Sequence, residues 1–469
     1  MERVVFRSLL LSGVGLGLLA LAVLLSSGDV RITLLGIFVL CSIAACTVYW
    51  PELLVMAYMF AGRFEFDQRL SRGDLPVSAN QVVLIALVLL ILVYHRHVLA
   101  VSRTWSVVGL LFFAGALIAG MGWTHGPNYG LTKVLKIAGV VVPSVLVLLA
   151  LIHRRKSLLP AFAAIWIVGL ALNTLGLLTL EQSLDHTGRL TSLGSGPNVF
   201  SRTVGISLLL TIMFAVYFVQ KRHRTTRDRV LLFLGVLGFL WLLPGFFLAQ
   251  SRGPVLALAV AMIVVVLISF VGSWRAMVAG LSLMTTAVFV GNHILTNFVD
   301  HSRFDFNRST NFTSIDERQR MLANTWDLLM SNPIVGVGTG GWPVVMFGID
   351  QRSYPHNFFA EVGAELGLLA ALTIALLFVA VGVHALVVWW TSRGTPTRFP
   401  LLVTMALFIY FFVNVQVSGD IIDNRLIWLC LGLMEMAALQ TAKERNAQVQ
   451  ESPVAPLLPT VSEPVPVAP

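Results

Sequence analysis

The feature that most constrains this chain is the recurrence of apolar runs of about 20 residues. That is the length a helix needs to cross a hydrocarbon layer of about 30 Å. Such runs lie at about 5–26, 31–49, 51–62, 79–94, 105–123, 131–152, 157–180, 199–219, 230–249, 253–272, 276–297, 357–390, 399–415 and 423–440. The bilayer interior offers no water to a free N–H or C=O, so each run must satisfy its own backbone as a helix. Of the 469 residues, 57% are hydrophobic and 12% charged, and the mean hydropathy is +0.84. The charged share is about half the average, too little to coat a soluble protein of this size. A soluble enzyme, a secreted disulfide scaffold and a β-barrel are excluded. The expected fold is all-α, a polytopic integral membrane protein with about 12–14 transmembrane helices. The run at 51–62 is short enough to be re-entrant; the one at 357–390 is long, so it starts outside the hydrocarbon or tilts strongly.

The charges give the topology. The net charge of +9 reflects basic residues gathered in short loops, as the positive-inside rule requires of cytoplasmic loops, so no nucleic-acid partner is expected. With Arg3 in the cytoplasm, His153–Lys156, Lys221–Arg224 with Arg227 and Arg229, Arg275, Arg393 with Arg398, and Lys443 with Arg445 all fall on that side. Both termini are then cytoplasmic. The opposite, outer face carries 63–78, 124–130, 181–198, 298–355 and 416–422, of which only 298–355 is long. That loop shows helical periodicity from about Ile315 to Met330. The first apolar run lacks a small-residue cleavage site and is followed closely by a second, unlike a signal peptide. Cys41, Cys46 and Cys430 lie inside apolar runs, and no Cys/His spacing matches a ligand set, so neither a disulfide nor a metal site is expected. The chain divides into a transmembrane bundle (1–297), the outer loop with short helices (298–355), C-terminal transmembrane helices (356–440) and a Pro-rich, disordered cytoplasmic tail (441–469).

Four polar features converge on the outer face. Gln250-Ser251-Arg252-Gly253-Pro254 opens a span, with Ser251 as cap and Pro254 in the first turn. A cation at a helix N-terminus opposes the macrodipole; a bound anion would relieve this and use the free N–H groups, although Arg252 snorkelling to lipid headgroups fits as well. Gly196-Pro197-Asn198 repeats the arrangement, with Asn198 as cap and Arg202 one turn on. Two guanidinium forks suit a diphosphate; interfacial anchoring is the other reading. Tyr354-Pro355-His356-Asn357 leads into Glu361 and Glu365, which share a helix face. The ordinary pKa of an imidazole suits His356 to act as a base near neutral pH. The glutamates are either functional or structural ion-pair partners. Lastly, Asp316-Glu317-Arg318-Gln319-Arg320 is followed by Asn332-Pro333-Ile334-Val335-Gly336-Val337-Gly338-Thr339-Gly340-Gly341-Trp342, whose glycines bring backbone close to a ligand or pack the loop onto the bundle. Lys133, Lys136, Asp420, Asp423 and Arg425 are lesser candidates, and Asn307-Arg308-Ser309 and Asn311-Phe312-Thr313 match the glycosylation sequon.

These motifs resemble those of the bacterial O-antigen ligase and O-antigen polymerase superfamily. The likeness rests on Ser251-Arg252-Gly253, on Arg318 leading into Pro333–Gly338, on His356-Asn357 followed by Glu365-Leu366-Gly367-Leu368, and on Gly196-Pro197-Asn198. It covers roughly 190–440; the first half agrees only in topology. The resemblance implies a GT-C-like membrane glycosyltransferase that works without nucleotide sugar, metal or other cofactor. Its donor would be an undecaprenyl-diphosphate-linked glycan at the outer face of the plasma membrane. The acceptor hydroxyl would belong to a second lipid-linked glycan in a polymerase, or to a lipid in a ligase. Membrane lipids and other polysaccharide assembly proteins are the remaining implied partners. By matching motif, His356 is catalytic and Arg252, Arg318 and Arg202 hold the diphosphate, with Asn198, Arg320, Asn357, Glu361 and Glu365 in support. Three residues after Gly367 the ligase form often has Gly, Thr or Tyr, whereas this chain has Ala370, which favours a polymerase. The competing readings are a transporter or lipid-linked oligosaccharide flippase, a peptidoglycan-type polymerase, and a non-catalytic scaffold.

Overall fold

The computed structural model describes residues 42, 45–61, 79–184, 188–191, 196–220, 223, 225–269 and 310–451. The expected spans at about 5–26 and 276–297, most of that at 31–49, the outer stretches 63–78 and 298–309, Lys221, Arg222, Arg224 and Arg275, the first sequon and the tail beyond Glu451 lie outside them.

The described residues form sixteen principal helices: α1 (Pro51–Ala61), α2 (Ala79–Val93), α3 (His95–Val101), α4 (Trp105–Gly120), α5 (Pro127–Lys136), α6 (Val142–Arg155), α7 (Leu159–Leu178), α8 (Pro197–Gln220), α9 (Thr226–Leu248), α10 (Arg252–Ser269), α11 (Thr310–Ser331), α12 (Trp342–Phe347), α13 (Phe358–Leu366), α14 (Leu368–Thr391), α15 (Arg398–Val417) and α16 (Leu426–Glu451). Among the described residues, eight segments are long and apolar enough to cross a membrane, nine if α2 and α3, bent by 86°, count as one; α1 and α10 are shorter apolar helices. The chain is an all-α, multi-pass membrane protein.

Burial ranks the spans. In α16, 78% of the apolar window is buried inside the protein and in α8, 72%, against 22% in α9, so α8 and α16 are central and α9 faces lipid. The centre is an aromatic stack: Trp428 of α16 lies 5.2 Å from Phe113 and 5.4 Å from Phe378, and Phe113 lies 5.9 Å from Phe358. Those contacts join α4, α13, α14 and α16. Further along α16 the Glu435 carboxylate accepts the backbone N–H of Trp105 at 2.8 Å and of Ser106 at 2.7 Å, satisfying free donors at the start of α4.

Two spans depart from straight helices for local reasons. The span Pro127–Arg155 widens into a π turn at Ile137–Val141, where Pro143 lacks the N–H that the regular ladder needs. The long run expected at 357–390 is two helices, broken at Gly367. Gly367 has φ +86°, and a Cβ there would stand 2.0 Å from the Ile334 carbonyl oxygen. The loop therefore reaches the bundle where only glycine permits it, and Leu368 N–H donates to Pro333 O at 2.8 Å. The last helix runs to Glu451, past the expected end at 440: hydropathy falls there, but nothing stops a helix until the residue before Pro453.

Of the loop expected at the outer face, α11 packs on α13 through Leu328, which clusters with Val337, Trp342 and Ala364. The glycine-rich run seats the loop on protein. Val337 and Gly338 N–H donate to the carbonyls of Ala364 and Glu365, both at 2.9 Å. A Cβ on Gly338, at φ +84°, would lie 2.3 Å from the Thr124 Cα.

Candidate active site

The polar groups of the loop end meet at the segment joining α15 to α16, residues 414–425. This stretch ends an apolar helix with Asn414, Gln416 and Ser418, turns at Gly419 (φ +83°), and closes an Asx turn in which the Asp423 N–H donates to Asp420 Oδ1 at 2.6 Å. Several elements send side chains to it.

Arg202, one turn into α8, is 3% exposed. Its Nη1 donates to Asn424 Oδ1 at 2.9 Å, and its Nη2 to the carbonyls of Ser418 and Asn414. These acceptors are neutral, so they orient the guanidinium and leave its charge standing; its Nε is buried without a partner among the described residues. Arg318, on the inward face of α11, donates from Nη1 to Val417 O at 3.0 Å. Two carbonyls of one helix end, Val417 and Ser418, thus hold two guanidiniums.

His356 faces them. Its backbone has φ +63°, a left-handed conformation that costs a non-glycine residue of order 1–3 kcal/mol. Its ring packs edge-on to Tyr354 with centroids 4.7 Å apart, and its buried Nδ1 has no partner among the described residues. Burial, then the charges of Arg318 and Arg202, lower its pKa to about 4 against a smaller opposing effect of Asp420. The imidazole is therefore neutral at pH 7 and able to take a proton. Asn357 next to it caps α13, accepting from Ala360 N–H at 3.0 Å, and donates to Gln416 O at 3.2 Å and Oε1 at 3.1 Å.

A second network backs this pocket. Arg352 pairs with Asp420 at 3.0 Å and with both oxygens of Asp423 at 2.8 Å; against the lowering effect of burial, Asp420, with Tyr354 and Tyr129, holds its pKa above the ordinary value. Tyr129 donates to Asp420 Oδ2 at 2.6 Å. Lys133, fully buried, lies 2.6 Å from both Glu361 and Glu365, and Glu361 Oε2 accepts Ile421 N–H at 3.0 Å. Glu361 and Glu365 are thus ion-pair partners of Lys133, and through Glu361 they fix the 414–425 segment.

The remaining expected residues divide. Asn198 is not a cap: α8 begins at Pro197, and Gly196 O accepts the N–H groups of Val199 and Phe200, because proline at the first helical position leaves the preceding residue as cap. Asn198 instead ties three segments, its Oδ1 accepting from Ser251 Oγ at 2.8 Å and Arg189 Nη2 at 3.0 Å and its Nδ2 donating to Ser418 Oγ at 3.2 Å. Arg252 is the first residue of α10, half-buried, directly after Ser251 and after Gln250 at φ +46°. Arg320 is not in the pocket. Two residues beyond Arg318 it sits on the opposite face of α11, exposed, its Nε donating to Asp316 O at 3.4 Å. The second sequon lies in the first turn of α11. Among the described residues no group of three or more His, Cys, Asp or Glu converges as a metal site would need.

Asn414, Gln416, Ser418, Asn424 and Arg352 join the site without standing out in the sequence, and Lys133, Asp420 and Asp423 carry more of it than lesser candidates should. A signal does exist: three polar side chains at alternate positions end a span otherwise apolar, and polar groups inside a membrane segment mark function or structure.

No curated protein and no solved structure matches the chain. Residues 237–375, which hold Arg252, Arg318, His356 and both glutamates, match the O-antigen ligase family model, so this part of the chain is similar to that family.

Proposed function

We propose that the pocket of Arg202, Arg318, Arg252 and His356 transfers a glycan from undecaprenyl diphosphate to an acceptor hydroxyl at the outer face of the plasma membrane. The superfamily's setting is surface polysaccharide assembly. The observation that carries the reading is His356: a strained backbone presents a neutral imidazole, its Nδ1 unpartnered among the described residues, beside two guanidiniums.

The chemistry balances without further reagents. The acceptor oxygen attacks the anomeric carbon, and the bond from that carbon to the diphosphate oxygen breaks, its electron pair leaving with the phosphate. His356 takes the acceptor's proton. The arginines stabilise charge that grows on the leaving group and do not themselves change protonation, the electrostatic role that usually contributes most to such reactions. Burial, then the arginine charges, keep the imidazole neutral before substrate arrives; diphosphate binding brings negative charge close to His356 and so offsets the second of these. Asn198, Asn357, Glu361 and Glu365 support the pocket through Ser418, Gln416 and Ile421.

Orientation follows from charge. Arg154, Arg155, Lys156, Arg393, Arg398, Lys443 and Arg445 lie at the ends of spans opposite the pocket, which supports a cytoplasmic position for those ends and an outer one for the pocket. Ala370 stands where ligases often carry Gly, Thr or Tyr, which favours a polymerase.

The test is a deletion strain complemented with the wild type, His356→Ala or Arg318→Ala, with lipid-linked glycan and surface-polysaccharide length quantified. Accumulation of lipid-linked glycan in the deletion and in both well-expressed variants is expected. Single repeats on the acceptor lipid would identify a polymerase, and long glycans stranded on the carrier a ligase. Wild-type polysaccharide from both variants would overturn the site.

A further inference from the structure

The loop helix α11 has three faces where a helix lying on a protein surface normally has two. One face, with Thr325, Leu328 and Leu329, is buried against the bundle, and Trp342 Nε1 donates to Thr325 Oγ1 at 2.9 Å. A second face, with Asp316, Arg320, Asn324 and Asp327, is polar and exposed. Between them runs a third stripe, Leu322, Trp326 and Met330, spaced four apart and therefore adjacent on the helix surface; it is apolar and exposed.

The stripe does not end in water. Past the end of α11 it continues into Ile334, 81% exposed, and Val335. The chain there is fastened to the head of span α14 by the Leu368 N–H bond to Pro333 O and by the close approach of Ile334 O to Gly367. Leu369, 75% exposed, follows within α14, and then Leu372 and Leu376 on the same face. That face belongs to a transmembrane helix and meets lipid. Trp123, at the end of another span, reaches over to donate to Val335 O at 3.1 Å. The exposed indole of Trp123 thus stands at the level where a span ends, the depth at which tryptophan concentrates in membrane proteins, and the exposed indole of Trp326 lies on the stripe that leads to it.

We infer that the Leu322–Trp326–Met330 edge of α11, with Ile334 and Val335, is a membrane-contact surface. It dips into the acyl boundary of the leaflet at the loop end, while the opposite edge of the same helix stays in water. The occupant is lipid because the stripe is continuous with the lipid-facing side of α14 and because a polar sector borders its other side, the pattern of a helix lying in an interface. One consequence rests on the proposed function: Arg318 is on this helix, so lipid contact sets the arginine at headgroup depth, where a lipid-borne diphosphate arrives.

The test reads lipid contact without requiring catalysis. Spin labels are placed singly at Leu322→Cys, Trp326→Cys, Met330→Cys, Asn324→Cys and Asp327→Cys in full-length protein carrying Cys41→Ser, Cys46→Ser and Cys430→Ala. The protein is held in nanodiscs of phosphatidylethanolamine and phosphatidylglycerol. Collision with dissolved oxygen is compared with collision with a water-soluble nickel chelate. Oxygen should dominate at 322, 326 and 330 and the nickel chelate at 324 and 327, a reversal of sign within one helix. Equal nickel access at all five positions would overturn the inference, as would shielding of the stripe from both probes, which means a protein partner such as a second copy covers it. In the same nanodiscs, Trp326→Asp should raise the KM for a polyprenyl-diphosphate glycan more than it lowers kcat. If the label pattern holds and the wild type transfers nothing, the lipid contact stands and the proposed function fails.

Discussion

Two clusters of charge lie along α13, and they differ in how the charge is answered. Towards its inner end, Lys133 meets two carboxylates at 2.6 Å. At its mouth, buried Arg202 is held by carbonyls and an amide, with Arg318 on a neighbouring carbonyl and His356 beside them. Taking a charge out of water costs several kcal/mol unless a counter-charge and hydrogen bonds answer it. The first cluster sets opposite charges in direct contact, although Glu365 Oε2 is buried without a partner among the described residues, and it reads as scaffold. The second orients the Arg202 charge with neutral acceptors, leaves Arg202 Nε and His356 Nδ1 without partners among the described residues, and holds His356 in a left-handed conformation. A fold retains such costs where a ligand or a reaction recovers them. Buried charge is thus not by itself a mark of a site; a buried charge that neutral groups orient without cancelling is.

The sharpest way to break this contrast is to remove His356. If its cluster is catalytic, His356→Ala lowers the transfer rate by about 10²–10⁴, the usual contribution of a general base. Thermal unfolding in detergent should move little, since alanine keeps the left-handed backbone and loses only the ring contact with Tyr354. Lys133→Met should do the reverse. It leaves two buried carboxylates facing each other, a loss of about 3–5 kcal/mol of stability. The triple variant Lys133→Met, Glu361→Gln, Glu365→Gln should recover much of it, and a rate that remains low in a well-folded triple variant would move the triad from scaffold to mechanism.

The pH profile tests the same contrast more finely. With the His356 pKa lowered to about 4, kcat/KM for donor should stay level from neutral pH down to about 5 and fall only as the imidazole protonates. Arg318→Gln removes one of the charges that lower this pKa, so its acid limb should move up towards the ordinary histidine value of about 6.5. The stability sign agrees. An unfolded histidine takes up a proton near pH 6.5 and the folded one near 4, so His356 costs stability progressively as pH falls through that interval. An acid limb at the ordinary value in the wild type would show that neither burial nor the guanidiniums lower the pKa of His356. The smallest effect is expected at Arg320→Ala: an exposed residue on the far face of α11 should change the rate less than about twofold and stability within about 0.5 kcal/mol. A loss comparable with that of Arg318→Ala would put the polar face of α11 in contact with substrate.

Much of the candidate site can be read along the chain because it sits where strong local rules break. Arg202 and Arg318 interrupt patterns of apolar or mixed helix, and His356 follows a proline in a segment that enters a span. Distinguishing Arg318 from Arg320 needs the rotation of α11 about its axis, which periodicity alone leaves open until one face is known to be buried. Asn198 has the residue type of a cap, yet Pro197 already takes the first helical position. Lys133 is separated from Glu361 by 228 residues, and nothing local announces that pairing. The 414–425 segment does not stand out as a hub because most of its polar side chains are short and neutral; their role is to present carbonyls and amides to arginines that come from elsewhere.

Read in one dimension, the chain already declares a helical membrane protein with its basic residues grouped in short loops. Those are local properties: the length of an apolar run, the absence of hydrogen-bonding solvent in a bilayer, and the places where lysine and arginine collect. Which charges cancel and which remain is a matter of packing in three dimensions. Whether Glu361 meets Lys133 or an arginine, whether a long apolar run breaks at Gly367, and whether Trp326 is covered by protein or left exposed depend on how helices distant in sequence rotate and pack. Electrostatic interaction falls with distance through space and takes no account of separation along the chain.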